Sequence, residues 1–155
     1  MKIKLSALLF IALGALALNG IVHAERRSVL LVTEEEARQP DATAPLRRFG
    51  SSVSTDGPVI TFNKPTYGSE IAKPVSIDIS FGQRLAPVDL SSLRVTYLKF
   101  IPIDITDRVR DYASARGIKI DNADLPAGSH KVRFSIKDSE DRLSEEILKI
   151  TIIDE

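Results

Sequence analysis

The chain has 155 residues, with 21 basic and 21 acidic side chains, no cysteine and no tryptophan. Without cysteine there is no disulfide, no thiolate metal ligand and no thiol nucleophile. Balanced charge argues against a general nucleic-acid binder, which carries a basic surplus on one face.

Residues 1–24 read as a cleavable export leader. Residues 1–4 are positive, residues 5–18 are apolar apart from Ser6 and Gly14, and Val22, His23 and Ala24 bring small residues to a cut between Ala24 and Glu25. The apolar run is 14 residues long, short of the about 20 needed to span a bilayer. The alternative is an uncleaved N-terminal anchor. No cysteine follows the cut, so lipid attachment of the lipoprotein kind is excluded. No later stretch is apolar enough to cross a membrane. The expectation is a periplasmic or secreted product with no stable membrane insertion after cleavage. Cleavage removes Lys2 and Lys4 and leaves 19 basic against 21 acidic residues, a net charge of −2.

Residues 25–57 form an N-terminal arm and linker. Val29, Leu30, Leu31 and Val32 make a short strand-like apolar run, and Thr33 with Glu36 has capping-box spacing before Pro40. From 39 to 57 the chain is rich in Pro, Ala, Ser, Thr and Gly and has no apolar period, as a linker does. Three fates are open to the apolar run. It folds back on its own domain, pairs with another copy, or docks on a partner through a sheet edge.

Residues 58–155 alternate short apolar runs with turn residues, which predicts an all-β antiparallel sandwich of seven strands. The strands fall at 59–62, 75–81, 93–101, 103–105, 118–120, 129–137 and 145–153. Val75, Ile77, Ile79 and Phe81 alternate with polar residues, the period of a half-buried strand. The third run changes phase after Tyr97, which suggests a bulge or a move between sheets. One short helix is predicted at about 107–116, capped by Thr106 and stopped by Gly117. Residues 138–141 read as a hairpin loop.

The stretch 125–132, with Gly128 two residues before His130, resembles the E–F corner of bacterial immunoglobulin-like and fibronectin type III-like domains. Residues 138–142 are similar to their F–G hairpin, and 58–62 and 74–77 to their first two strands. The resemblance implies a tyrosine corner in which His130 takes the place of the tyrosine and bonds a backbone carbonyl. There is no tryptophan for strand C and no cysteine pair, and the helix is an insertion. Such folds host many roles.

No constellation meets the geometric needs of catalysis. His130 is the only histidine after Ala24, and it has no positioned partner in a recognised motif, so the expectation is a structural corner formed with Gly128. Asp104, Asp107, Asp111, Asp121 and Asp124 are interleaved with arginines and lysine, which favours salt bridges over a calcium site. Asp138, Glu140 and Asp141 sit on a turn rather than in a cleft. Tyr67 is the one tyrosine expected to expose its ring. The sequence therefore predicts a non-catalytic interaction or accessory module with no catalytic residue, metal or cofactor. Its expected partner is another exported protein, with self-association through the arm or a sheet edge as a further route. The alternative is a ligand-recognition module for a glycan or a calcium-dependent surface. The weak interaction candidates are Val29, Leu30, Leu31, Val32 and Tyr67.

Overall fold

The computed structural model describes residues 28–42 and 54–154. The expected leader, with its expected cut between Ala24 and Glu25, and the middle of the expected linker lie outside the described residues. In chain order the elements are β1 (Val29–Leu30), α1 (Glu34–Ala37), β2 (Val59–Lys64), β3 (Glu70–Ala72), β4 (Val75–Gly82), β5 (Val88–Tyr97), β6 (Ile103–Asp104), α2 (Thr106–Arg110), β7 (Ala113–Ser114), β8 (Gly117–Asp124), β9 (Gly128–Asp138) and β10 (Leu143–Ile153). One sheet runs β1-β8-β4-β2 with β7 attached to β8, and the other runs β3-β10-β9-β5-β6.

The all-β class and the two-sheet sandwich hold. The expectation of seven strictly antiparallel strands is corrected: the described residues form ten strands, and β1 runs parallel to β8 and β3 parallel to β10. The seven expected runs correspond to β2, β4, β5, β6, β8, β9 and β10. The added strands have two or three residues each, too short to show a period. They form because sheet edges leave backbone groups to satisfy.

The core lies between the sheets. Val75, Ile77, Ile79 and Phe81 of β4 and Ile118 and Ile120 of β8 face Val95 and Tyr97 of β5 and the inward residues of β9 and β10. Phe62 meets Phe134 edge to face, with ring centroids 5.6 Å apart. The phase change after Tyr97 is the end of β5, where Leu98 and Lys99 turn inward and are both buried.

The predicted helix shrinks to five residues and is capped differently. The Thr106 hydroxyl accepts from the Val95 N–H at 2.9 Å, so it serves β5 instead of the helix. The Asp104 carboxylate accepts from the Thr106 N–H at 2.8 Å in its stead. Gly117 does not end the helix. It opens β8 at φ +147°, opposite Ser80 of β4.

The apolar run of the arm folds back on its own domain. Val29 and Leu30 pair with Ala123 and Asp124, and the Leu31 N–H donates to the Asp124 carbonyl at 3.1 Å. Leu31 and Val32 then enter the core. Of the four residues read as interaction candidates, these two are withdrawn from any partner by burial, and Leu30 is the exposed one. The expected capping box is present: the Thr33 hydroxyl accepts from the Glu36 N–H at 3.2 Å, and Glu36 accepts from the Thr33 N–H at 2.9 Å.

Glu36 also clamps this segment to α2. Its two carboxylate oxygens accept from the Arg108 guanidinium at 2.6 and 2.7 Å, and Arg108 donates further to the Leu31 carbonyl at 2.8 Å. The Arg108 bond holds the Glu36 pKa at about 2 against an ordinary 4.5, overriding the opposite effect of burial. A carboxyl depressed on folding adds stability above its unfolded pKa and loses it as the pH falls toward the folded value. That contribution is at most about 3 kcal/mol, less after solvent screening of the half-exposed guanidinium. Glu36→Gln should lower the unfolding free energy at neutral pH by about 1–3 kcal/mol. The deficit should shrink toward zero between pH 4.5 and about 2, as followed by urea titration at several pH values.

Candidate interaction surface

Strand β9 carries a buried polar side chain at each end, and the two pin opposite ends of the sandwich. His130 is 1% exposed. Its Nε2–H donates to the Pro126 carbonyl at 2.8 Å, the corner bond expected of it. Nδ1 then accepts from the Tyr97 hydroxyl at 3.0 Å. Both ring nitrogens are engaged in the neutral tautomer, and burial pushes the imidazole pKa below its ordinary value. Gly128 supplies the turn into the corner at φ +124°.

The unfolded imidazole takes a proton near pH 6.5, while the folded one resists. Stability from His130 is full above that pH and is lost as pH falls below it. The melting temperature should drop between about pH 7.5 and 5.5. His130→Gln, which keeps one donor and one acceptor, should flatten that slope while lowering the melting temperature throughout. An unchanged slope would remove His130 from the account.

At the other end Asp138 is buried, and the hairpin is more than a polar turn. Oδ1 accepts from the N–H groups of Glu140 and Arg142 at 2.9 and 3.0 Å, and Oδ2 from Arg142 Nε at 2.7 Å. Burial raises the carboxyl's pKa, and these donors more than reverse it, so Asp138 lies below the ordinary carboxylate range. Glu140 also pairs with Arg142, at 2.9 Å, while Asp141 pairs with Lys137. These three acids build a turn.

The other expected sites are dispersed. Asp104 accepts from the Thr106 N–H at the start of α2, and Asp107 pairs with Arg110 at 3.3 Å. Among the described residues no three His, Cys, Asp or Glu side chains gather where a metal ion could be held. The interior void is about 20 Å³, room for one water at most. Tyr67 is 67% exposed in the β2–β3 loop. Beside that loop runs an open groove of about 420 Å³ lined by Asn63, Pro65, Thr66, Ser69 and Ser76. Among the described residues no helix is long and apolar enough to cross a membrane.

The most exposed apolar pair in sequence is Phe100 and Ile101, in the loop between β5 and β6, at 67% and 66% exposure. Their loop is held firmly. Lys99 is buried, its ammonium 2.8 Å from Asp41 and 5.3 Å from the Tyr97 ring centroid. Burial depresses the Lys99 pKa, and the Asp41 carboxylate and the Tyr97 hydroxyl together outweigh it and raise it above its ordinary value, so the ammonium stays charged. The Phe100 N–H donates to the Pro40 carbonyl at 2.8 Å. Leu98 is anchored by its N–H to Lys131, at 2.8 Å. Asp41, Lys99, Tyr97 and His130 thus form one polar chain beneath an exposed Phe–Ile step. Sequence reasoning placed Phe100 inside a strand. The signal for a loop was the phase change followed by Pro102, which cannot continue a ladder.

No family model matches the chain, and no curated protein matches it. Among solved structures it is similar to an endo-beta-1,4-mannanase from Thermotoga petrophila, at 15% identity and a TM-score of 0.46. That likeness covers 66% of this chain and 21% of the mannanase. It is similar to CopC from Methylosinus trichosporium OB3b, at 17% identity and a TM-score of 0.44, over 63% of this chain and 94% of CopC. The fibronectin(III)-like modules of Clostridium thermocellum CbhA follow at 18% identity and a TM-score of 0.37, over 61% and 94%.

Proposed function

We propose that the protein is an exported, non-catalytic module of the immunoglobulin-like class that binds another exported protein through the Phe100–Ile101 loop. The observation behind this reading is a pair of adjacent, two-thirds exposed apolar side chains on a backbone pinned by Pro40, Lys99 and Lys131. Exposed apolar groups cost solubility, and rigid ones bind with little loss of entropy. The sandwich order supports the class. The strand at 59–64 pairs with β4, the chain then crosses to run parallel with the last strand, and β5, β9 and β10 adjoin.

The double variant Phe100→Ser with Ile101→Ser tests it. Both side chains are exposed, so the melting temperature should hold within about 2 °C. Recovery of the partner from the producing cell's envelope fraction should fall at least about tenfold, as expected when hot-spot side chains are lost. Equal recovery would reject the loop.

A second reading, glycan recognition, draws on the exposed Tyr67 ring near the open groove beside its loop. Quenching of tyrosine fluorescence by a soluble glycan panel, lost in Tyr67→Ala, would favour it over protein binding.

A further inference from the structure

Asp41, Lys99, Tyr97 and His130 form a line of hydrogen bonds whose directions are fixed by chemistry. The Lys99 ammonium can only donate. It gives one hydrogen to Asp41 at 2.8 Å and another to the Tyr97 hydroxyl. That hydroxyl gives its own proton to Nδ1 of His130, at 3.0 Å. The His130 Nε2–H ends the line on the Pro126 carbonyl at 2.8 Å. Lys99, Tyr97 and His130 are all buried, so bulk water does not replace a lost partner.

This line accepts one protonation state of the imidazole. A proton on Nδ1 turns that atom from acceptor to donor. The Nδ1–H and the Lys99 ammonium then aim at the same hydroxyl oxygen, and the hydroxyl proton is left without an acceptor. Two cations also come to flank one buried oxygen, where charges interact strongly. One of them must leave. His130 is fixed on β9, which lies between β10 and β5. Lys99 lies beyond the end of β5, on a loop with few anchors. Those anchors are its bridge to Asp41 and the Phe100 N–H on the Pro40 carbonyl. Leu98 stays on β9 through the Lys131 carbonyl, so the loop hinges after it. Lys99 is therefore the group that moves, and Phe100 and Ile101 move with it.

The remaining charges around the imidazole are few. Asp41 favours its protonation, and Lys99 and Lys73 oppose it. Lys73 pairs with Asp154 at 3.6 Å. From β5 the facing group is the Tyr97 hydroxyl, and the residue opposite on β10 is Ile150, which does not titrate.

We propose that protonation of His130 releases the Phe100–Ile101 loop from its anchors, so that pH governs binding at this loop. This rests on the interaction reading above and adds its regulation. Above about pH 6.5 the imidazole is neutral whether the loop is held or released. Below it the released form takes the proton that the held form refuses. Each unit of pH then moves the balance toward release by at most about tenfold. Release weakens binding, because a mobile Phe–Ile step loses more entropy on docking than a pinned one.

The test is an NMR titration of the whole exported chain, without a partner, from about pH 8 to about 5. The His130 Hε1 signal reports its own protonation, and the amides of Asp41, Lys99, Phe100 and Ile101 report the loop. A shared midpoint is expected, with the amides of the buried Ile79 and Ile136 unmoved. Protection of the Phe100 N–H from hydrogen exchange, corrected for the intrinsic effect of pH, should fall by up to about tenfold per unit. Tyr97→Phe removes the hydroxyl and keeps the ring. There His130 should titrate while the loop stays still. His130→Gln should abolish the response of the loop. A loop that holds while His130 titrates, or a His130 that does not titrate in this range, would overturn the proposal. So would an equal response in Tyr97→Phe, a response that persists in His130→Gln because Asp41 takes the proton, or core amides lost together with the loop. Recovery of the partner should fall over the same pH range. Recovery that depends on Phe100 and Ile101 but not on pH would also overturn the proposal. The loop signals need no partner, so failure of the interaction reading is seen separately: Phe100→Ser with Ile101→Ser then leaves recovery unchanged while the parent loop still titrates.

Discussion

Deletion of residues 25–42 should leave a chain that does not fold. Residues 28–38 of this segment pack on the β8 edge and α2. Leu31 and Val32 are core residues, packed with Ile105, Val109, Ile118, Ile120 and Leu125. Each contributes about 1.5–3 kcal/mol by burial. Loss of Asp41, whose own side chain is exposed, leaves the buried Lys99 ammonium without its hydrogen-bond acceptor, at a cost of about 1–3 kcal/mol. Loss of Glu36 frees Arg108 from its clamp. The sum is comparable with the whole stability of a domain, about 5–15 kcal/mol. The deletion variant should show no cooperative melt by circular dichroism. The milder Leu31→Ala should keep the fold and lose about 2–5 kcal/mol in urea titration. A deletion variant melting within a few degrees of the parent would show that the segment is dispensable. The same experiment bears on binding studies: an arm deletion cannot be used to ask whether residues 29–32 contact a partner, because it also opens the core.

Gly117→Ala should be the most damaging single methyl in the protein. At Gly117 the chain has φ +147°, and an added Cβ would run into the Ile79 carbonyl of the adjacent strand β4. That oxygen belongs to main chain in the sheet interior, so it cannot swing aside. Backbone strain and overpacking together cost at least about 3 kcal/mol. Gly128 is the control. It too has positive φ, at +124°, but nothing lies within 4 Å of where its Cβ would be. Gly128→Ala should cost only the conformational strain, about 1–2 kcal/mol. Thermal melts of the two variants should therefore separate by several degrees. Equal losses would mean that the approach of β4 to Gly117 is not close.

The Gly117 case shows where local reading stops. A glycine after a short polar-apolar alternation fits a helix end, and the residues before it do begin with a helix. What demands glycine is the backbone of a strand nearly forty residues earlier, which no local pattern records. Thr106 is similar. Its type and position suit a cap, but its hydroxyl is taken by Val95 in the neighbouring strand. Lys99 shows the converse. A lysine in an amphipathic run is read as solvated, yet it is buried because Asp41, in a linker with no apolar period, arrives to pair with it.

The sequence by itself determined the all-β class, the seven runs that became β2, β4, β5, β6, β8, β9 and β10, the core face of β4 and β9 and the capping box at Thr33. Those follow from periods and spacings within a few residues, where side-chain alternation and capping chemistry act. Only the tertiary structure decided the two parallel edge pairings, the entry of Leu31 and Val32 into the core and the exposure of Phe100 and Ile101. Each of these depends on register between segments far apart in the chain. Register is settled by the collective burial of one face of each sheet, a quantity no single segment contains.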